Sequence, residues 1–551
     1  MVRYRSTATS THGMVASSHP LASMAGARIL MKGGNAFDAA IATNAALNVT
    51  QPHVCGVGGD AFYLLLDSKA GRVEFLNASG RASRNATISF YKDKGFKSIP
   101  ERGVLSALEV PGCVDGWSEL SERCGSLPMS ELLDYAIHLA EDGFPISHNL
   151  SEAISRHILI YQECNEWLSI YTRGGKAPHA GEILKQRDLG WTLREIAKDG
   201  RDAFYSGEIA KRICNSMKGE HGLLDAEDLA SHKSTWGEPV SLKYRDDFTI
   251  YETAPNSQAA TALLAFNILS NFELGDMRRE SAEYIALMIE ASKKAYEHRD
   301  RYITDPLEMS GELSELLLRE NGERDAEKVI AELKRRGIYD SGIRASVYPS
   351  GMKLGSNGVE DGDTTYFCVV DGDHNCVSCI QSLYMGFGSG YVPEGTGINL
   401  QNRGCYFSLE ETHHNALKPG KRTFHTLCAS ITMKAGYPHL LFGTMGGDVQ
   451  PQVHQQVISS VLDFGNDIQQ AIEDPRWVKL GTIYQSSDTI LMESRFPESS
   501  IGELSRHGYQ IKIEEALSSA MGHAQGIVID RESGALCGGA DPRGDGFAIG
   551  I

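Results

Sequence analysis

The sequence predicts an α+β protein, in which helix and strand signals alternate over the first hundred residues and separate beyond them. Helical periodicity dominates from about 113 to 340, and from 365 onward the texture changes to short β-rich runs paired across turns. Size and composition agree. The 551 residues are 41% hydrophobic and 23% charged, ordinary globular values, and a chain this long can bury most of its apolar surface. At roughly 100–200 residues per domain, several domains or one large composite core would fit.

Residues 21–32 carry helical spacing and stop at Gly33-Gly34. Residues 37–50 are Ala-rich and apolar on more than one face, which predicts a buried helix. After the cluster Gly56-Val57-Gly58-Gly59, Ala61–Asp67 and Val73–Leu76 read as a hairpin around Lys69-Ala70-Gly71. Segments 128–142, 186–198, 205–218, 280–300 and 324–336 have helical period and length. Residues 340–363, rich in Gly, Ser and Asp, read as an exposed linker. Beyond it, Thr365–Asp371 and Cys376–Ser382 flank the turn Gly372-Asp373-His374-Asn375, and Ala429–Met433 and Leu440–Phe442 flank Ala435-Gly436. Residues 450–463 are helical, a strand signal lies near 525–530, and Gly538–Gly550 is a glycine-rich end.

Lys plus Arg is 53 and Asp plus Glu is 71, a net charge of −18. That balance argues against nucleic-acid binding, which needs basic surface to neutralise phosphates, and against docking on an anionic membrane. No run of about 18 apolar residues predicts a membrane span. The N-terminal MVRYRSTATSTHGMVASSHP lacks the apolar core of a secretory signal, so the expected location is cytoplasmic. The 11 scattered cysteines do not suggest a disulfide framework.

Common motifs are absent or fail on spacing. There is no GxxxxGK[ST] phosphate loop, and Gly56-Val57-Gly58-Gly59 precedes a strand where a dinucleotide fingerprint precedes a helix. Asp371-Gly372-Asp373-His374-Asn375 starts like a calcium loop, but Cys376 and Ser382 stand where Gly and Glu are needed. Cys376 and Cys379 would point to opposite faces of a strand. His413, His414, His425, His439 and His454 offer no i, i+4 pair. No metal and no organic cofactor is expected.

Two segments carry more information. Asp361-Gly362-Asp363-Thr364-Thr365-Tyr366-Phe367-Cys368 marks the point where linker becomes strand. Gly443-Thr444-Met445-Gly446-Gly447-Asp448 follows a strand and precedes a helix, a place where two backbone N–H groups can face a developing oxyanion.

Here the chain resembles the γ-glutamyltransferases, which are N-terminal-nucleophile hydrolases. Gly13-Met14-Val15-Ala16-Ser17 followed by Gly33-Gly34-Asn35-Ala36-Phe37-Asp38-Ala39-Ala40 is similar to the family's opening signature. Val110-Pro111-Gly112, Asp202-Ala203-Phe204-Tyr205-Ser206-Gly207, Glu473-Asp474-Pro475-Arg476-Trp477 and Ala540-Asp541-Pro542-Arg543 resemble further blocks in the same order.

The resemblance implies a four-layer αββα sandwich built from a large segment, 1–363, and a small one, 364–551. It implies a precursor that cuts itself between Asp363 and Thr364. Thr364 then becomes the nucleophile and its free α-amine the general base, chemically sensible because such an amine has a pKa near 7.7–8.0. Gly446 and Gly447 match the oxyanion-hole glycines. Ser382 matches a hydroxyl hydrogen-bonded to the nucleophile. Arg81 matches the arginine that grips the substrate carboxylate, for which a guanidinium fork is suited.

Other positions depart from the glutathione-cleaving pattern. Tyr384, Arg403 and Tyr406 stand where acidic and amide side chains hold the glutamyl ammonium, and His425-Thr426 replaces a serine pair. The segment Arg422-Thr423-Phe424-His425-Thr426 resembles a divergent branch that includes an oxamate amidohydrolase and cephalosporin-type acylases. The implied function is a γ-glutamyltransferase-like amidohydrolase or acyltransferase, with a role in glutathione metabolism. The alternatives are an amidohydrolase or acylase of oxamate-like, glutaryl or cephalosporin amides, and an unprocessed pseudoenzyme or interaction protein. The implied partners are a small-molecule amide and the two processed segments for each other, with homo-oligomerisation left open.

Overall fold

The computed structural model describes residues 4–311, 313–338 and 363–551. The linker reading over 340–363 therefore lies outside the described residues except at Asp363, which begins a strand.

Strand alternation sets the layers. In Asp363–Asp371, Tyr366, Cys368 and Val370 face one core, while Phe367 and Val369 face another. Both sets are apolar, so this strand is buried on both sides. It lies in a seven-stranded antiparallel sheet, between Gly13–Ser17 and Cys376–Tyr384. Phe547–Gly550 borders Gly13–Ser17, and Asp60–Asp67, Arg72–Ala78 and Thr235–Gly237 continue on the other side. The first strands of the sheet thus come from both sides of the 363–364 bond.

A second seven-stranded sheet runs Ala8–Ser10, Leu536–Ala540, Ala524–Ile529, Tyr437–Thr444, Ala429–Lys434, Phe248–Glu252, Val240–Tyr244. The two sheets meet through Phe62, Leu64, Tyr366 and Ile380 on one and Ile431, Leu441 and Ile527 on the other. Helices cover the outer faces. Pro20–Met31 and Ala36–Thr50 pack on the first sheet with Met129–Glu141 against Ala36–Thr50, and Ala260–Leu269, Gln450–Leu462 and Ile468–Glu473 pack on its neighbour. This is the expected four-layer αββα sandwich.

Local chemistry explains several of the matched blocks. Asn35 caps the helix Ala36–Thr50 by accepting from the N–H groups of Phe37 and Asp38, and Asp38 accepts from the Asn35 N–H in return. The whole helix is buried, as its Ala-rich pattern predicts. Asp371 accepts from Asp373, Asn375 and Ala36, so the segment that starts like a calcium loop is a capped hairpin turn.

Three features differ from the sequence reading. The glycine-rich end contains strand Phe547–Gly550 and most of Leu536–Ala540. Gly539 lets that backbone lie against Gln469, since a Cβ there would stand 3.1 Å from its Cα. The segment 186–198 continues to Tyr205 across a kink at Gly200 (φ 61°). A small mixed sheet, Trp477–Gly481, Ser486–Glu493 and Gln510–Glu514, packs against Ala282–Tyr302 and Arg319–Arg336. Its two edge strands have only five residues each and carry polar side chains, so they leave little pattern in the sequence.

Arg543 locks the C-terminal strands to the helix Ile468–Glu473. Its guanidinium donates to both carboxylate oxygens of Glu493 (2.8 Å each), to Asp541 (3.0 Å) and to the carbonyls of Ile472 and Asp474 (2.9 Å each). Arg476 takes the other Asp541 oxygen at 2.8 Å. Burial alone would raise the Asp541 carboxyl, yet the two arginines hold it below the usual carboxylate range. Removing one member of such a network strands the others as buried charges. Arg543→Ala is therefore expected to cost about 3–5 kcal/mol in urea unfolding. A loss under about 1 kcal/mol would mean that water replaces the guanidinium.

Candidate active site

Thr364 sits at a bulge. Asp363 pairs with Tyr384 and Thr365 with Gln381, so two steps on one strand match three on the other. Ser382 and Leu383 therefore face Thr364, and Ser382 is also fixed opposite Asp60. The Thr364 hydroxyl donates to Ser382 Oγ at 3.3 Å. The Ser382 hydroxyl in turn donates to the carbonyl oxygen of Asp363 at 2.6 Å, and accepts from the Tyr384 N–H at 2.7 Å. One hydroxyl thus touches both the Thr364 hydroxyl and the carbonyl of the preceding residue.

A cavity of about 340 Å³ opens at Thr364, with His53, Arg102, His157, Asp363 and His523 among its walls. Burial, reinforced by His157 and Arg156, pulls His53 down to about 3, so it is neutral at physiological pH. None of these wall residues except Asp363 stood out in the sequence. They come from separate segments, and no local pattern marks a histidine that faces a cavity.

The glycine turn reaches the cavity through Met445, which lines it. Gly446 and Gly447 have φ of 135° and 56°, conformations that favour glycine, and lead into the helix Gln450–Leu462. Gln258 braces this turn. Its amide donates to the carbonyls of Gly447 (2.9 Å) and Thr426 (3.0 Å), and its oxygen accepts from Arg299 at 2.9 Å. Arg299 also holds Asp448 at 2.9 Å, and the Tyr406 hydroxyl donates to the other Asp448 oxygen at 2.7 Å. Gln258 and Arg299 carried no sequence signal, because their partners lie far along the chain.

The remaining selected residues form a buried layer. The Arg403 guanidinium lies 4.0 Å over the Tyr384 ring, and Tyr406 packs edge-on against Tyr384 at 5.3 Å. Arg403 is 1% exposed, and none of its three nitrogens has a hydrogen-bond partner among the described residues. Asp60 anchors the layer, accepting from the N–H groups of Gly80 (2.9 Å) and Gly112 (3.2 Å) and from Gln401 (2.9 Å). The two glycine loops need close approach, since a Cβ on Gly80 would meet the Val110 oxygen at 1.6 Å. Burial pushes Asp60 up to about 6 against those hydrogen bonds. His425 Nε2 lies 3.3 Å from Asp60, and burial together with Arg403 holds this imidazole neutral. Burial and the Asp60 charge raise Glu109 well above the carboxylate range, so Arg403 faces one ionised and one neutral acid.

Arg81 stands apart. Its guanidinium is 3.5 Å from Asp305 and donates to the Gly420 carbonyl at 3.1 Å, and it is not among the residues lining the cavity. The structure brings Thr364, Ser382 and Asp363 together, links Tyr406, Thr426 and Gly447 through Gln258 and Arg299, and gathers Tyr384, Arg403 and His425 behind Asp60.

A threonine at the start of a central strand of an αββα sandwich, beside a glycine turn, defines an N-terminal-nucleophile hydrolase. The profile of the family described as Gamma-glutamyltranspeptidase matches residues 22–551, and the chain belongs to that family. It is 41% identical to the glutathione hydrolase-like YwrD proenzyme of Bacillus subtilis, over 98% of this chain and 99% of the relative. It is 35% identical to the oxamate amidohydrolase proenzyme of Klebsiella pneumoniae, again over 98% and 99%. The crystal structure of cephalosporin acylase from Bacillus halodurans superposes with a TM-score of 0.90 at 36% identity, covering 100% of this chain and 98% of that one. No helix among the described residues is long and apolar enough to cross a membrane.

If the Ser382 hydroxyl polarises the Asp363 carbonyl, Ser382→Ala should slow conversion of the intact chain into two fragments by about 100-fold, the scale of losing one oxyanion donor. Equal rates on a denaturing gel would remove Ser382 from that step.

Proposed function

We propose that this chain is a self-cleaving amidohydrolase with an N-terminal threonine nucleophile. The observation that carries the reading is the Ser382 hydroxyl, shared between Thr364 Oγ and the Asp363 carbonyl at the cavity. In the first step Thr364 Oγ attacks the Asp363 carbonyl carbon. The C–N bond breaks, the hydroxyl proton passes to the Thr364 nitrogen, and water hydrolyses the resulting ester. The freed α-amine then serves as general base for Oγ against an external amide. Gly446 and Gly447 supply N–H groups to the oxyanion, and the acyl-threonine passes to water or to an amine.

The buried layer around Arg403 does not line the cavity at Thr364, but it is where the family's ammonium ligands would stand, and it favours acyl groups without an α-amine. Arg403 is a buried cation with no hydrogen-bond partner among the described residues, Asp448 is already occupied by Arg299 and Tyr406, and Asp60 is taken by two backbone N–H groups, Gln401 and His425. An ammonium entering this layer meets a like charge, and the acid there with an unpartnered oxygen, Glu109, is one whose burial beside Asp60 favours the neutral form. In this reading glutaryl- or oxamate-like amides are the substrates, and γ-glutamyl amides such as glutathione are disfavoured.

Two outcomes check these statements. Thr364→Ala should remain one intact, inactive chain, whereas the native small fragment should give Thr-Thr-Tyr-Phe on N-terminal sequencing. A different first residue, or fragments from the variant, would falsify the processing site. With one common leaving group, glutaryl donors should exceed γ-glutamyl donors by about 10- to 150-fold in kcat/KM, corresponding to about 1.5–3 kcal/mol for a lost charge-assisted bond. A tenfold advantage for γ-glutamyl donors would reverse the specificity argument.

A further inference from the structure

In the intact chain, Asp363 is itself an acyl group. It supplies the carbonyl that Thr364 faces, and its side-chain carboxylate stands two carbons from that carbonyl. The structure shows where this carboxylate goes. A Cβ placed on Gly386 would lie 2.3 Å from His157 Nε2 and 2.7 Å from Asp363 Oδ2, so imidazole and carboxylate converge on the bare face of Gly386. Any side chain at 386 would fill that space.

The cradle is rigid. His157 Nδ1 donates to the Ala153 carbonyl at 2.7 Å, which leaves Nε2 facing the cavity. Arg102 donates to the carbonyls of Gly386 (3.2 Å) and Gly388 (2.6 Å), and the Tyr161 hydroxyl donates to Gly388 at 3.0 Å. The surrounding wall is rich in nitrogen. Arg102, Arg156, His53, His157 and His523 line the cavity, and the other wall carboxylate besides Asp363 is Asp545, which accepts from Asn149 at 2.8 Å. If Asp363 leaves after cleavage, a negative charge is lost from a cavity that keeps both arginines.

We propose that cleavage turns the cradle of the Asp363 side chain into the binding site for the distal carboxylate of the acyl donor, and that the favoured donors are succinyl-type amides. This rests on the amidohydrolase reading above. The ester made during self-cleavage and the ester made in turnover both carry their carbonyl on Thr364 Oγ. A donor with two carbons between its carbonyl and its carboxylate therefore repeats the Asp363 geometry, whereas an oxalyl group is too short to reach His157. In turnover Oγ attacks the succinyl carbonyl, the C–N bond breaks, and the amine leaves with the proton relayed from Oγ. Water then releases succinate and restores the hydroxyl.

The test uses processed protein and the p-nitroanilides of succinic, glutaric, oxalic and butyric acids. The succinyl donor should exceed its neutral isostere, the butyryl donor, by tenfold or more in kcat/KM, and should also exceed the oxalyl donor. His157→Gln and Arg102→Gln should each move the succinyl-to-butyryl ratio toward one. Because either variant can impair folding, a second measurement is independent of them. Succinate titrated calorimetrically should bind the processed protein and not the intact Thr364→Ala chain, whose cradle holds its own Asp363. Cleavage and anilide turnover with no succinyl preference overturn this inference and leave the amidohydrolase reading standing. Succinate binding to both forms or to neither also overturns it. Selective succinate binding by a cleaved protein that turns over no anilide supports the cradle and refutes the amidohydrolase reading. A chain that never cuts refutes both.

Discussion

The Ser382 hydroxyl is the contact around which the site is organised. A threonine hydroxyl is a weak nucleophile and an amide carbonyl a weak electrophile, and one side chain touches both. It does so because the bulge places Ser382 and Leu383 opposite a single residue, Thr364. A regular ladder would pair residues one to one and aim the Ser382 side chain by the pleat alone. The bulge is held on both sides by long antiparallel pairings, to Gly13–Ser17 and to Asp60–Asp67. The rigidity of a doubly buried sheet is thereby passed to one hydroxyl.

Behind this contact lies a layer of buried charge. Asp60 collects two backbone N–H groups from glycine loops that approach closely enough to exclude a Cβ, together with Gln401 and His425. Arg403 faces that layer from above Tyr384 with no hydrogen-bond partner among the described residues. A buried guanidinium lacking hydrogen-bond partners is costly, and aromatic faces and a nearby carboxylate offset only part of that cost. An incoming anion would complete the set, and the proposed preference for acidic donors over ammonium-bearing ones rests on that.

The glycine turn depends on a different network. Gly446 and Gly447 adopt their positive φ values without help from side chains of their own, so their orientation must come from neighbours. Gln258 ties Gly447 to the backbone of Thr426, and Arg299 ties Gln258 to Asp448. Arg299 is 1% exposed and reaches these groups from the helix Ala282–Tyr302, which packs on Ala260–Leu269. The glycine turn is thus fixed by side chains from two separate segments.

By itself the sequence determined most of the periodic elements, the buried character of Ala36–Thr50, the strand over Thr365–Asp371 and the glycine turn. Each of these is written in neighbouring residues, as alternation, as a capping pattern or as a pair of glycines at a strand end. Resemblance added the role of Thr364 and the family blocks. Packing alone decided the rest. Arg81, selected by position, turns to Asp305 because that carboxylate arrives from a segment more than two hundred residues away. His53, Arg102, His157 and His523 share one cavity though nothing local relates them. The strands within the glycine-rich end form because Gly13–Ser17 and Ala524–Ile529 offer them partners, a pairing that local propensity cannot report. Local chemistry chooses elements, but a site is made of groups that meet across them, and only the tertiary fold decides which groups meet.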